Sequence, residues 1–290
     1  MGASKYDPNT GFFLTLVMLL GFQNCSQVSL VGSVNGSASS QSQSGNFAGS
    51  VNIPNPPSSA ILVSQIQQLS NWSSSTGAAS QCPNGVASPT CNPVNANYNA
   101  TVGHPADPLV LPGSSGTSGE FQIYQSPANA TVVWGQALQT HSTATNFIWD
   151  FYVYVTGAHY ASSELDLYAT LNGGQRFMMG SQCNRGNNSW DTWNEASQTW
   201  IHNMNVPCNS VLSPGLWHRV SFYNSIDLAS NTYTYRVLRI DGVDYILNQT
   251  QPAQHMNWPD GLLGVQVQLD ADSSGQAVDE YFENMQTYSW

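Results

Sequence analysis

The chain has 290 residues, 41% of them hydrophobic and 11% aromatic, enough for a β domain of roughly 200 residues with a real core and too apolar for a wholly disordered chain. Charged residues make up only 8%, with 6 basic against 17 acidic, which sets the net charge at −11 and the pI near 4.5. That field repels nucleic acid and disfavours anionic polysaccharides, leaving neutral glycans as the better matched partners.

Lys5 precedes an apolar run from Phe12 to Phe22, the length of a signal h-region and too short for a membrane span. Residues 1–25 therefore read as an export segment, which places the chain outside the cytoplasm: secreted, at the cell surface or periplasmic. No small residue precedes Cys25, so removal with the signal and lipidation at this cysteine both stay open. Residues 26–57 are rich in Ser, Gly and Asn and read as a flexible spacer, leaving 58–290 as the folded domain. Within Ala60 to Leu69, the spacing of Leu62, Ile66 and Leu69 predicts one short docked helix. Residues 73–118 are irregular and Pro/Gly/Ser/Asn-rich.

The other four cysteines fall into two local pairs, Cys82 with Cys91 and Cys183 with Cys208. Neither pair has Cys-x-x-Cys spacing or histidines at ligand spacing, so disulfides fit an exported chain better than zinc or redox chemistry.

From Glu120 onward the pattern is strand and turn. In Phe147 to Val155, alternation turns Phe147, Trp149, Phe151, Val153 and Val155 to one side and Asp150, Tyr152 and Tyr154 to the other. Glu164 to Leu171 repeats the plan, with Leu165, Leu167, Ala169 and Leu171 inward and Glu164, Asp166, Tyr168 and Thr170 outward. Trp190 to His202 reads as a hairpin, and Leu238 to Leu247 as a second one closed by Asp241-Gly242. About ten to twelve short segments without a long helical pattern predict an all-β, two-sheet antiparallel sandwich. Tyrosines interleaved with carboxylates offer a sugar flat apolar surface beside hydroxyl-binding oxygens, where an ordinary solvated sheet face carries Lys, Thr and Ser.

The chain resembles the jelly-roll domains of the concanavalin A-like lectin and glucanase superfamily, above all a secreted bacterial branch of it, from about residue 57 to the C-terminus. The resemblance rests on Glu164-Leu165-Asp166, Gly180 to Asn184, the Trp190 to Trp193 hairpin closed by Val206-Pro207-Cys208, Trp217 to Val220, Gly264 to Asp270 and Tyr281 to Met285. It implies a jelly roll whose concave sheet carries the ligand. The alternation supplies candidates for that sheet: Asp150, Tyr152, Tyr154, Glu164, Asp166, Tyr168, Arg176, Gln182 and Asn184, with Gln266, Gln268 and Asp270 from a later strand.

Three functions compete for this face. A glucanase would use Glu164 and Asp166, whose Cα atoms lie roughly 6.6 Å apart along one side of a strand. Laminarinase-like members of the superfamily, however, carry a third carboxylate two or three positions beyond the aspartate, where Tyr168 and Ala169 stand here. A lyase would draw on Tyr168, His202, Arg176 and Gln182, but the superfamily's alginate-lyase signatures are missing. Carbohydrate binding asks least, and Tyr152, Tyr168 and Gln182 head its expected contacts. A structural role at the cell surface is the remaining class. Trp190, Trp193 and Trp200 read either as an aromatic rim or as hairpin core, Trp217 as core, and His202 and His218 as structural. Asp270 to Gly275 looks like half of a calcium loop with Tyr281 in place of the closing glutamate; no cofactor is expected, with a structural Ca2+ left open.

Overall fold

In a computed structural model of the chain, the structure describes residues 50–70, 72–76, 95–102, 117–124, 128–157, 159–256 and 258–290. The export segment, most of the spacer, Cys25 and the Cys82 with Cys91 pair lie outside the described residues.

Among the described residues the strands are β1 (Ile61–Val63), β2 (Ser73–Thr76), β3 (Asn95–Val102), β4 (Ser118–Tyr124), β5 (Thr131–Gln139), β6 (Asn146–Val155), β7 (Tyr160–Leu171), β8 (Gln175–Asn184), β9 (Ser189–Asn194), β10 (Thr199–Asn203), β11 (Trp217–Asp227), β12 (Thr232–Ile240), β13 (Val243–Pro252), β14 (Gln254–His255), β15 (Leu262–Ala271) and β16 (Val278–Ser289). They form two antiparallel sheets. The first runs β13-β12-β11-β6-β16-β4-β3 with β1 added to β16; the second runs β10-β9-β8-β7-β15-β5-β2 with β14 added to β8. The fold is an all-β antiparallel jelly-roll sandwich. One four-residue helix, α1 (Cys208–Val211), follows the β9–β10 hairpin.

The alternation read from sequence sets the core. Phe147, Trp149, Phe151, Val153 and Val155 of β6 meet Leu165, Leu167, Ala169 and Leu171 of β7 and Val265, Val267 and Leu269 of β15 in one buried cluster between the sheets. Burying each such side chain contributes about 1.5 to 3 kcal/mol. Both predicted hairpins form, and Asp241 and Gly242 both adopt positive φ (49° and 87°), as a two-residue turn of this hand requires.

Three expectations are corrected. Residues 73–118, expected to be irregular, contribute β2, β3 and the first residue of β4. The helix predicted over Ala60 to Leu69 is instead β1, paired with β16 through Ile61↔Ser289 to Val63↔Thr287, followed by a three-residue 3₁₀ turn at Ile66–Gln68. The β-branched Ile61 and Val63 gain a strand partner there, which outweighs weak helical spacing. Trp217, expected in the core, is half-buried on the outer side of the first sheet against Tyr154, with ring centroids 5.5 Å apart.

The end of the spacer is also engaged. Ser50 and Asn52 donate hydrogen bonds to Asp244, and Ile53 is buried in a second apolar cluster with Ile148, Val237 and Tyr288 on the outer side of the first sheet.

Candidate functional site

The strands of the second sheet set outward side chains in register. One row crosses five strands: Gln268 (β15) opposite Glu164 (β7), Glu164 opposite Gln182 (β8), Gln182 opposite Asp191 (β9) and Asp191 opposite His202 (β10). The next row places Gln266 beside Asp166 and Gly180, and Trp193 beside Trp200. Polar groups thus lie side by side at the spacing between strands, about 4.8 Å.

Most of this row is buried, so its polar atoms need partners within the protein. Gln268 Nε2 donates to Glu164 Oε2 at 2.7 Å. Asp191, wholly buried, accepts from Gln182 Nε2 at 2.9 Å, Asn184 Nδ2 at 3.0 Å and the Ser189 hydroxyl, and lies 2.9 Å from His202 Nδ1. Three donors converge on this one carboxylate, and its contact with His202 fixes that ring, whose side chain is 46% exposed.

Asp166 sits differently. Burial is the largest influence on its carboxyl and lifts it from an ordinary 3.8 to about 7, against the lowering effect of the Ser181 backbone, a hydrogen bond with Glu164 and the charge of Arg176. Asp166 and Glu164 stand side by side on one face of β7, and burial of the pair favours the protonated form of Asp166. Room for it comes from Gly180: a Cβ there would lie 2.8 Å from Asp166 Oδ1. Ladder pairing between β8 and β9 stops at Ser181↔Thr192, and the hydroxyl of Tyr235, reaching across from the first sheet, lies 3.0 to 3.2 Å from the carbonyl oxygens of Met178, Gly180 and Trp193 at the gap.

Aromatic groups border this floor. The Tyr168 ring crosses flat over Gly264, where a Cβ would come within 1.9 Å of Cζ, and Trp258 stands 6.1 Å from it between centroids. The Arg176 guanidinium lies 6.0 Å from the Trp258 ring centroid and is tied to Glu195 at 3.3 Å and Gln254 at 2.5 Å. On the other flank Trp193 and Trp200 meet edge to face at 5.2 Å, while Trp190 is core. The three tryptophans therefore divide between the two readings.

Of the residues predicted from sequence, the structure brings together Glu164, Asp166, Tyr168, Arg176, Gln182, Asn184, Gln266, Gln268 and Asp270. It does not bring Asp150, Tyr152 and Tyr154 to them. β6 belongs to the first sheet and β7 to the second, so these three side chains lie on the opposite outer side of the sandwich. There Asp150 is consumed by structure: Arg219 grips it through two bonds of 3.0 Å, and Ser221 and Gln286 donate to it as well. Asp191, Glu195 and Trp258 were not foreseen. Counting outward from the buried Trp190 would have found Asp191, which lies opposite the His202 already named for a lyase; Trp258 sits in a loop without periodicity.

The calcium-like segment turns its carboxylates elsewhere. Asp270 accepts from Ser162 and Gln268, Asp272 caps its own turn through Ser274, and no group of three His, Cys, Asp or Glu that could hold a metal occurs among the described residues.

No family model and no curated protein matches the sequence. Similar solved structures include the cellulose-induced protein Cip1 (13% identity, 74% of this chain and 90% of that one, TM-score 0.39), the metal-free lectin I-B4 from Griffonia simplicifolia (11%, 79% and 98%, 0.39) and the alginate lyase vAL-1 from Chlorella virus (10%, 68% and 93%, 0.38).

Proposed function

We propose that this chain is an exported carbohydrate-binding domain that holds a neutral or weakly charged polysaccharide across the outer face of its second sheet. The observation that carries the reading is the in-register row Gln268, Glu164, Gln182, Asp191 and His202 bordered by half-buried rings of Tyr168, Trp200 and Trp258. Rings supply stacking area for sugar faces, and amides and carboxylates take hydroxyls. Because the floor groups are already bonded to one another, little side-chain entropy is lost on binding. Export is supported by the Cys183 to Cys208 disulfide, whose Cα atoms are 5.2 Å apart. No helix among the described residues is long and apolar enough to cross a membrane.

A second reading, hydrolysis, is favoured by one observation: two buried carboxyl groups, Glu164 and Asp166, stand side by side on one strand, and burial raises Asp166. One experiment separates the two. Affinity gels and reducing-end assays on the same panel of β-glucans, xylans, galactans and uronans should show retention without turnover, with Tyr168→Ala weakening retention roughly tenfold at a nearly unchanged melting temperature. Reducing ends released by the wild type and lost in Glu164→Gln would make the domain a hydrolase. A Tyr168→Ala protein that melts early yet binds normally would move the site elsewhere.

A further inference from the structure

The outer side of the first sheet carries a second in-register row. Trp217 (β11) lies opposite Tyr154 (β6), Tyr154 opposite Tyr281 (β16), Tyr281 opposite Glu120 (β4) and Glu120 opposite Asn99 (β3). Three rings thus follow one another at centroid distances of 5.5 and 6.1 Å, close to the length of one pyranose unit. They are half-buried, and none belongs to either apolar cluster, so their area is not taken up by the core. The Tyr281 hydroxyl donates to Glu120 Oε1 at 2.6 Å, which fixes that ring beside the carboxylate, and the exposed Asn99 ends the row. The docked Ser50 to Ile53 segment contacts Asp244 and the Ile148 cluster.

We propose that this row is a second glycan-binding strip, for a single extended chain of neutral β-linked sugars. Successive rings are inclined at 46° and 74°, so they do not form one plane that would suit a crystalline glycan surface; they offer faces and edges to one strand of polymer. Acceptors at one end, Glu120 and Asn99, meet hydroxyls, and the acidic charge of −11 makes a uronate chain the poorer occupant. The strip and the polar face belong to opposite sides of a sandwich whose sheets lie about 10 Å apart, so one chain cannot lie on both. The domain therefore bridges two glycan chains.

The test uses soluble β-glucan and xylan in native affinity gels. In a Tyr168→Ala/Trp258→Ala background, which removes the rings of the other face, retardation should persist, and adding Trp217→Ala should weaken it roughly tenfold. No retardation in that background, or retardation unmoved by Trp217→Ala, overturns the strip. Trp217→Ala alone abolishing all retention would instead keep the strip and overturn the site on the second sheet. Hydroxyl-radical footprinting of the wild-type protein covers the case in which a variant fails to fold: the glycan should protect Trp217 and Tyr281, and equal labelling with and without it overturns the proposal. So does protection that rises with protein concentration alone, since the face would then join two copies of the chain. Wild-type protein, and not the single-face variants, should make a β-glucan solution turbid.

Discussion

Tyr168 and Gly264 are a matched pair. The ring lies where any Cβ on residue 264 would have to be, so the stacking surface of the second sheet exists because β15 carries a glycine at that register. Gly264→Ala should displace the ring, cost about 1 to 3 kcal/mol of stability through overpacking and weaken glycan retention as much as Tyr168→Ala does. Adding Tyr168→Ala to Gly264→Ala should return most of that stability, a coupling readable by urea unfolding of the two single variants and the double one. Additive losses would mean that the backbone, and not the ring, is what the alanine disturbs. Gly180 plays the same part for Asp166, which makes both glycines determinants of the site although neither offers a side chain to a ligand.

At the scale of elements, alternation told which side of each strand faces the core but not which of the two outer faces the other side joins. β6 and β7 follow each other with the same polar and apolar rhythm, yet the short connection between them crosses from one sheet to the other, so Tyr152 and Tyr168 point in opposite directions. Turn chemistry was more informative, since Asp241-Gly242 defined both a turn and a register. It also placed Asp241 within 2.6 Å of His218 Nδ1, while the Ser213 backbone N–H donates to Nε2, so the ring is held between the turn and the loop before β11. The pairing of Cys183 with Cys208 was legible as well, and its geometry shows what the bridge is for. Cys183 on β8 and Cys208 at the start of α1 are both fully buried and close a loop of sequence separation 25 around the β9–β10 hairpin, which supplies Asp191, Trp193, Trp200 and His202. Replacing both cysteines by alanine should lower stability by about 3 kcal/mol, as chain entropy for a loop of that length implies, and hydrogen exchange should rise first in that hairpin. Unchanged exchange in β9 and β10 would assign the hairpin's order to its ladder alone.

Among the described residues, the carboxyl groups that the fold shifts divide into two populations with opposite pH dependence. Glu280 points between the sheets, fully buried, where its one described donor is the Ser163 hydroxyl at 2.9 Å; burial lifts its carboxyl from an ordinary 4.5 to about 8. Asp166 moves the same way, to about 7, and Asp270 is also raised by burial. An acid whose folded value lies above its unfolded one binds more protons in the native state, so its contribution is fully present below the unfolded value and is lost as pH climbs toward the folded one. Asp241 behaves in the reverse sense: burial opposes it, but the hydrogen bonds from His218 and the Arg219 backbone win and lower it, so its contribution disappears only as pH falls below the ordinary carboxylate range. The chain should accordingly be most stable in mildly acidic solution, losing on the order of a few kcal/mol between about pH 5 and pH 8. Glu280→Gln replaces the carboxyl by a neutral group of the same shape and should remove about half of that slope, Asp166 carrying much of the rest, while Asp241→Asn should leave it intact and remove part of the decline below pH 4. Urea midpoints across this range check both, and a Glu280→Gln protein that keeps the wild-type slope would place the titrating proton on the Glu164 and Asp166 pair, where loss of stability and loss of the acid needed for hydrolysis would then follow the same pH curve.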